Sequence, residues 1–435
     1  MRFSTSKQLA ILGGPPVANA GDWPSWPRWT PATREALLRV GVSGRWTVSG
    51  PAAGAVTEED AFAAEFARFC GTRACVPVDH GSSALVIALE ACGLERGDEV
   101  LVPGLTWVAC ASAVVRAGGT PVLVDVDPET LCMSPAAAAA RVTARTRGVL
   151  LVHLYCSIGD LDAFTALCHS RGAFLIEDAA QMHGARWRGH RVGTIGRVGT
   201  FSMQQGKLLT AGEGGACVTD DLAIAEKMYL LRTDGRRHAG QVAPGRMELD
   251  DVGGVLGRNF CLSEFQAACL RAQLGELEDL NNQRWNTAQR LRAALADVPG
   301  VSLPRSSAGT ERESYYHFIA FFEPAAFGDC PVEIVAEAIS GELGFWVHPV
   351  YDPLYRHPLA SLWLREGERS HSREEANRGN YPGCERVRSC AIAFHHPVLL
   401  AGDAGIARII AAVEKVRANA DSLPLSFRAN RGATS

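Results

Sequence analysis

Ala173-Phe174-Leu175-Ile176-Glu177-Asp178 is an apolar run that stops on two carboxylates, and Ala179-Ala180-Gln181-Met182-His183-Gly184 follows it. A short apolar run of this kind reads as a strand buried on both faces of a parallel sheet. An acid at the carboxyl end of such a strand stands where open α/β sheets bind their ligands, although an aspartate there also serves equally well as a helix cap. Outward from this run, from about Arg73, short β-branched stretches alternate with longer segments whose apolar positions recur three and four apart. That alternation is the pattern of βα units. It predicts strands over 73–78, 98–103, 121–126, 148–154, 173–178, 198–203 and 215–219, and helices over 82–92, 106–116, 135–145, 161–170, 222–234 and 262–297. The expected fold class is α/β, with a mostly parallel seven-stranded sheet in a large domain, 51–275, and a smaller α+β domain, 276–435. Residues 1–50, with Trp23-Pro24-Ser25-Trp26-Pro27, read as an arm that packs on another surface.

Composition narrows the function. The chain is 47% hydrophobic and 21% charged with a formal net charge of -4, which gives nucleic acid no basic face to bind. The start has too short an apolar run for a secretory signal, and no apolar stretch reads as a bilayer span, so a cytoplasmic location without membrane attachment is expected. The 13 cysteines form no Cys-x-x-Cys pair and lie mostly in apolar runs, so they read as buried thiols rather than a disulfide framework or a metal site.

Of the 43 basic residues only Lys7, Lys207, Lys227 and Lys415 are lysines. Where charge alone is wanted, this sequence uses guanidinium. Lys207 is different in its setting, Phe201-Ser202-Met203-Gln204-Gln205-Gly206-Lys207-Leu208-Leu209-Thr210-Ala211-Gly212-Glu213-Gly214-Gly215. An ε-amine can lose its proton in a desolvated site and condense with an aldehyde, which arginine cannot do. Upstream, Asp79-His80-Gly81-Ser82-Ser83 leads from a strand into a helix, where free N–H groups and two hydroxyls converge as a phosphate cradle. An anion cradle, a carboxylate and an isolated amine at successive strand ends fit pyridoxal 5'-phosphate. Lys207 would hold it as a Schiff base, Asp178 would pair with the pyridine nitrogen, and Gly81, Ser82, Ser83 and Ser202 would receive the phosphate. Trp107 would stack on the ring, and Gln181 would reach its phenolic oxygen or its other face.

These motifs, with Gly193-Thr194-Ile195-Gly196, Asn259-Phe260-Cys261-Leu262-Ser263-Glu264 and Phe394-His395-His396-Pro397-Val398-Leu399-Leu400, resemble the DegT/StrS sugar aminotransferases, fold-type I pyridoxal-phosphate enzymes. The resemblance covers nearly the whole chain and is nearest to the cyclitol branch. That branch passes the amino group of L-glutamine to 2-deoxy-scyllo-inosose or scyllo-inosose in aminoglycoside biosynthesis. It implies a homodimer with sites at the subunit interface and Asn259 reaching the cofactor phosphate of the other subunit. Cys156, Asp79-His80 and Arg197 depart from the usual pattern, and the loop near His80 is expected to line the pocket. The resemblance also implies transfer in two halves, with Lys207 as tether and general base.

Hydroxyls of a cyclitol need hydrogen-bond partners, and the candidates are Arg236, Tyr315, His348, Tyr351 and His396. Three rival readings stand beside this one: an acceptor that is a nucleotide-linked ketosugar, a dehydratase of the 3-amino-5-hydroxybenzoate synthase type, and a non-catalytic cofactor-binding protein.

Overall fold

The computed structural model describes residues 8–49, 56–238, 248–363 and 381–423. Seven strands form the central sheet: β1 (Ala74–Val78), β2 (Glu99–Pro103), β3 (Thr120–Val124), β4 (Thr146–Val152), β5 (Phe174–Asp178), β6 (Val198–Ser202) and β7 (Gly215–Thr219). Their order across the sheet is β3-β2-β4-β5-β6-β7-β1. β2 to β6 run parallel with their neighbours, whereas β7 is antiparallel to both β6 and β1. The mostly parallel sheet expected from the sequence is therefore present, strand for strand.

Along each inner strand, successive side chains enter different cores. Leu150 and Val152 of β4 join Ile176 and Val198 in one core, while Val149 and Leu151 join Leu175 and Phe201 in the other. Helices α3 (Gly81–Ala91), α4 (Ala109–Arg116) and α7 (Leu222–Arg232) supply the first core. Helices α2 (Glu58–Cys70), α5 (Pro135–Arg141) and α6 (Leu161–Arg171), with the start of α8 (Glu264–Ala296), supply the second. Burial on both faces explains the unbroken apolar runs. Two helices stop short of the expected range by three residues or more at one end. α4 begins at Ala109, leaving Thr106 and Trp107 in the preceding turn, and α5 ends where Val142 turns extended.

α8 is a single 33-residue helix closed at its start by a Ser263–Gln266 capping box. The boundary expected between 275 and 276 falls inside it, so the two lobes share this helix. Beyond it, β8 (Val301–Ser302), β9 (His317–Phe322), β10 (Val347–Pro349) and β11 (Ala391–His395) make an antiparallel sheet in the order β8-β9-β11-β10. Helices α9 (Val332–Leu343), α10 (Pro382–Cys390) and α11 (Gly402–Ala418) accompany it. Among the described residues, His396–Ala418 alone has the length and apolarity of a membrane span, and half of its most apolar window is buried inside the protein. In the N-terminal arm, α1 (Pro31–Ser43) buries Ala36 and Val40 against Ala268 of α8, and the Trp23 indole donates to the Leu343 carbonyl at 2.7 Å.

Candidate active site

The carboxyl ends of β5 and β6, the amino end of α3 and the small lobe enclose a cavity of about 310 Å³. Its lining includes Gly81, Ser82, Trp107, Asp178, Gln181, Ser202, Lys207 and Tyr351, residues that the sequence brings forward from five separate segments.

α3 starts at Gly81, and its N-cap His80 makes no side-chain cap bond, so the first N–H groups of the helix are open to a ligand. Only glycine fits at the first helical position. A Cβ there would lie 2.6 Å from the Cβ of Ser202 on the neighbouring strand end. This close approach brings the Ser202 hydroxyl to the same spot as the helix terminus.

Asp178 closes β5, paired with Thr200 of β6, and is 7% exposed. Its Oδ1 accepts from the Ala180 N–H at 3.0 Å, and its Oδ2 accepts from the Cys110 thiol at 3.3 Å. Four lone-pair positions with two donors leave the carboxylate able to receive a further N–H from the cavity. Desolvation lowers the Lys207 pKa from 10.5 to about 8, against the opposing attraction of Asp178. Its Nζ lies 4.1 Å from the centre of the Tyr316 ring. The Lys207 N–H is tied to the Gln204 carbonyl at 2.8 Å and the Gly206 N–H to the Gln204 side chain at 2.8 Å, making a tight turn from which Nζ projects.

Gln181 is buried, and its Oε1 accepts from the Tyr155 N–H. The Tyr155 hydroxyl in turn accepts from the Tyr351 N–H at 2.8 Å, which seats Tyr351 over the cavity. Burial raises the Tyr351 phenol well above its ordinary range, so it stays a neutral donor. Trp107 is 56% exposed, with its ring 5.6 Å from that of Tyr351.

The remaining expected residues lie elsewhere in the chain. Ser83 faces an adjoining pocket with Val86 and Ser112. Asn259 bonds the Cys261 N–H, and Arg236 pairs with Asp234. Tyr315 corrects the expectation most clearly: it is 1% exposed, and its hydroxyl accepts from Gln289. His348 stacks on Trp346 beside His317. His396 is fully buried behind Lys207, where its Nε2 lies 3.2 Å from the Gly206 carbonyl oxygen.

Sequence reasoning missed Tyr316, Cys110 and Glu213. Tyr316 was legible in principle, because two adjacent tyrosines entering a strand must point to opposite sides. Cys110, in the first turn of α4, has its Sγ 3.6 Å from the Thr106 hydroxyl of the preceding turn, a contact that the sequence pattern does not announce.

Residues 31–379 match the model of the DegT/DnrJ/EryC1/StrS aminotransferase family. An L-glutamine:2-deoxy-scyllo-inosose aminotransferase from Streptoalloteichus tenebrarius is 45% identical over 413 residues, spanning 94% of this chain and 97% of its own. An L-glutamine:scyllo-inosose aminotransferase from Streptomyces griseus is 43% identical over 416 residues, spanning 94% and 98%. Among solved structures, 3-amino-5-hydroxybenzoic acid synthase superposes with a TM-score of 0.79 at 31% identity, covering 92% of this chain and 98% of that one.

Proposed function

Because this chain belongs to the DegT/DnrJ/EryC1/StrS aminotransferase family, we propose that it uses pyridoxal 5'-phosphate to move the amino group of L-glutamine to a ketocyclitol, 2-deoxy-scyllo-inosose or scyllo-inosose. The observation that carries the reading is one cavity holding a desolvated amine, a carboxylate with spare acceptor capacity and an open helix terminus.

The residues fit the cofactor. The open end of α3 with Ser82 and Ser202 would hold its phosphate, Asp178 its ring nitrogen, Gln181 and Trp107 its ring, and Lys207 its aldehyde carbon. When bound, the cofactor supplies an aldehyde that takes up an amine and a ring that draws electrons from the carbon bearing it. Lys207 Nζ takes the Cα proton of glutamine in the first half of the reaction. In the second half it delivers a proton to the carbon that was the acceptor's carbonyl. Asp178 favours the protonated ring nitrogen by placing negative charge beside it. Tyr351 offers a neutral hydroxyl to the acceptor.

The ionisable residues lining the cavity are His80, Asp178, Lys207 and Glu213, with no guanidinium among the described lining residues. This suits a neutral polyol better than a nucleotide diphosphate. Asn259, outside the cavity of its own chain, is assigned to the neighbouring site of a homodimer, at the cofactor phosphate. The reaction is assigned to the cytoplasm.

The test is isotope transfer. L-glutamine labelled with 15N at its α-amine should pass the label to 2-deoxy-scyllo-inosose or scyllo-inosose, and glutamine labelled at the amide should not. Transfer only to a nucleotide-linked ketosugar, or dehydration of aminodehydroshikimate without transfer, would replace this reading with one of its rivals.

A further inference from the structure

Behind the cavity, three ring N–H groups from two distant parts of the chain meet two successive carbonyls of the lysine turn. The Trp26 indole of the N-terminal arm donates to the Lys207 carbonyl at 3.1 Å. Nε2 of His395 and Nε2 of His396 lie 2.8 Å and 3.2 Å from the Gly206 carbonyl oxygen. An imidazole bonds a carbonyl only through a nitrogen that bears hydrogen, so each must be protonated at Nε2.

For His396 the protein specifies this tautomer. Arg284 of α8 donates its Nε–H to His396 Nδ1 at 3.1 Å, so Nδ1 must be the bare nitrogen. Arg284 is an unusual residue to find there. It is 0% exposed, and its bonds go to His396 and to the Asn281 carboxamide, without a carboxylate partner among the described residues. Its Nη2 has no partner among them either. The face of the Trp26 indole lies 5.0 Å from the guanidinium, and the same indole meets the His396 ring edge-on at 4.6 Å. Burial lowers the Arg284 pKa to about 9, which leaves it charged at neutral pH, and burial with the Arg284 charge holds His396 well below the ordinary imidazole range. A buried cation without a counter-charge is costly to the fold. Its retention next to the lysine turn calls for a role.

We propose that Arg284 and His396 are positioning residues for Lys207: the guanidinium fixes the imidazole as its Nε2–H tautomer, and that N–H holds the Gly206 carbonyl so that the lysine side chain points into the cavity. Trp26 completes the clamp by bonding the lysine's own carbonyl, which ties the N-terminal arm to the reacting residue. This inference rests on Lys207 being the reacting amine.

The apoenzyme, labelled with 15N in its histidines, gives the tautomer directly from long-range 1H–15N correlations, with His396→Gln identifying the signal. Wild type should show His396 protonated at Nε2, and Arg284→Met should shift it toward a mixture with the Nδ1–H form. In parallel, the rate at which pyridoxal phosphate is trapped on Lys207 by cyanoborohydride should fall on the order of tenfold in Arg284→Met, with the KM for glutamine little changed. His396→Gln keeps a donor and an acceptor and should retain most of the wild-type rate, whereas His396→Phe should lose it. An Arg284→Met protein with an unshifted tautomer and unchanged trapping would overturn the proposal. If that variant does not fold, equal trapping rates in His396→Gln and His396→Phe would overturn it as well. Failure of wild type itself to trap the aldehyde at Lys207 would instead defeat the functional reading on which this inference rests.

Discussion

Glu177 and Asp178 are chemically near-identical neighbours on β5, yet they face opposite sides of the sheet and meet opposite fates. Glu177 is fully buried and saturated. It accepts from the N–H groups of Gly193 at 2.7 Å, Ile195 at 2.7 Å and Gly196 at 2.6 Å, and its Oε2 lies 3.1 Å from His153 Nε2. His153 Nδ1 takes the Gly159 N–H, so its proton sits on Nε2 and points at Glu177. Burial pushes the Glu177 carboxyl up, but these donors outweigh it and hold the pKa below the usual range. Asp178 has two donors and an open cavity. The difference teaches that a carboxylate becomes available for chemistry when its surroundings leave lone pairs unused, and becomes structural when they do not.

The widest expected effect lies on the open side. Lys207→Ala should lower turnover on the order of 10⁴-fold or more, the scale for losing a reacting group, with thermal unfolding little altered. Asp178→Asn should come next, with kcat reduced ~10²–10³-fold in a well-folded protein. Glu177→Gln should do the reverse: a loss of about 1–3 kcal/mol in denaturant unfolding, with the remaining folded enzyme turning over near the normal rate. If Glu177→Gln were stable but inactive, or Asp178→Asn unfolded, the contrast between the two faces would break.

Tyr315 and Tyr316 repeat the contrast on a smaller scale. Tyr315→Phe removes the bond to Gln289 and should cost about 1 kcal/mol of stability without moving KM. Tyr316→Leu removes the ring beside the ammonium. Since that ring favours the charged form, the Lys207 pKa should fall by roughly half a unit below its starting value. Labelling of the apoenzyme's Lys207 by an aldehyde, followed against pH, reads this directly. In wild type the rate should rise as pH passes through about 8, because the amine is protonated below that pH and free above it.

Much of this was legible in the chain. The strands of the large sheet announced themselves because burial on both faces demands unbroken apolar runs, Asp178 because it ends such a run, and Lys207 because it is one of four lysines and stands in a glutamine- and glycine-rich turn. The rest depends on contacts distant in sequence. Trp26, Arg284 and His396 meet behind Lys207 only after the arm, α8 and the small lobe have packed together, and no local periodicity encodes that meeting. His396 consequently read as a candidate substrate contact, whereas it lies fully buried between Arg284 and the Gly206 carbonyl. Tyr315 and Tyr316 were separable only by knowing which face of the coming strand would be core.

The most direct test is to reduce the pyridoxal-phosphate-loaded enzyme with borohydride, digest it and locate the modified residue by mass spectrometry. The account predicts one phosphopyridoxyl group per chain, on Lys207. A group on Lys227 or Lys415, or no retained group in an enzyme that still transfers nitrogen from glutamine, would contradict it.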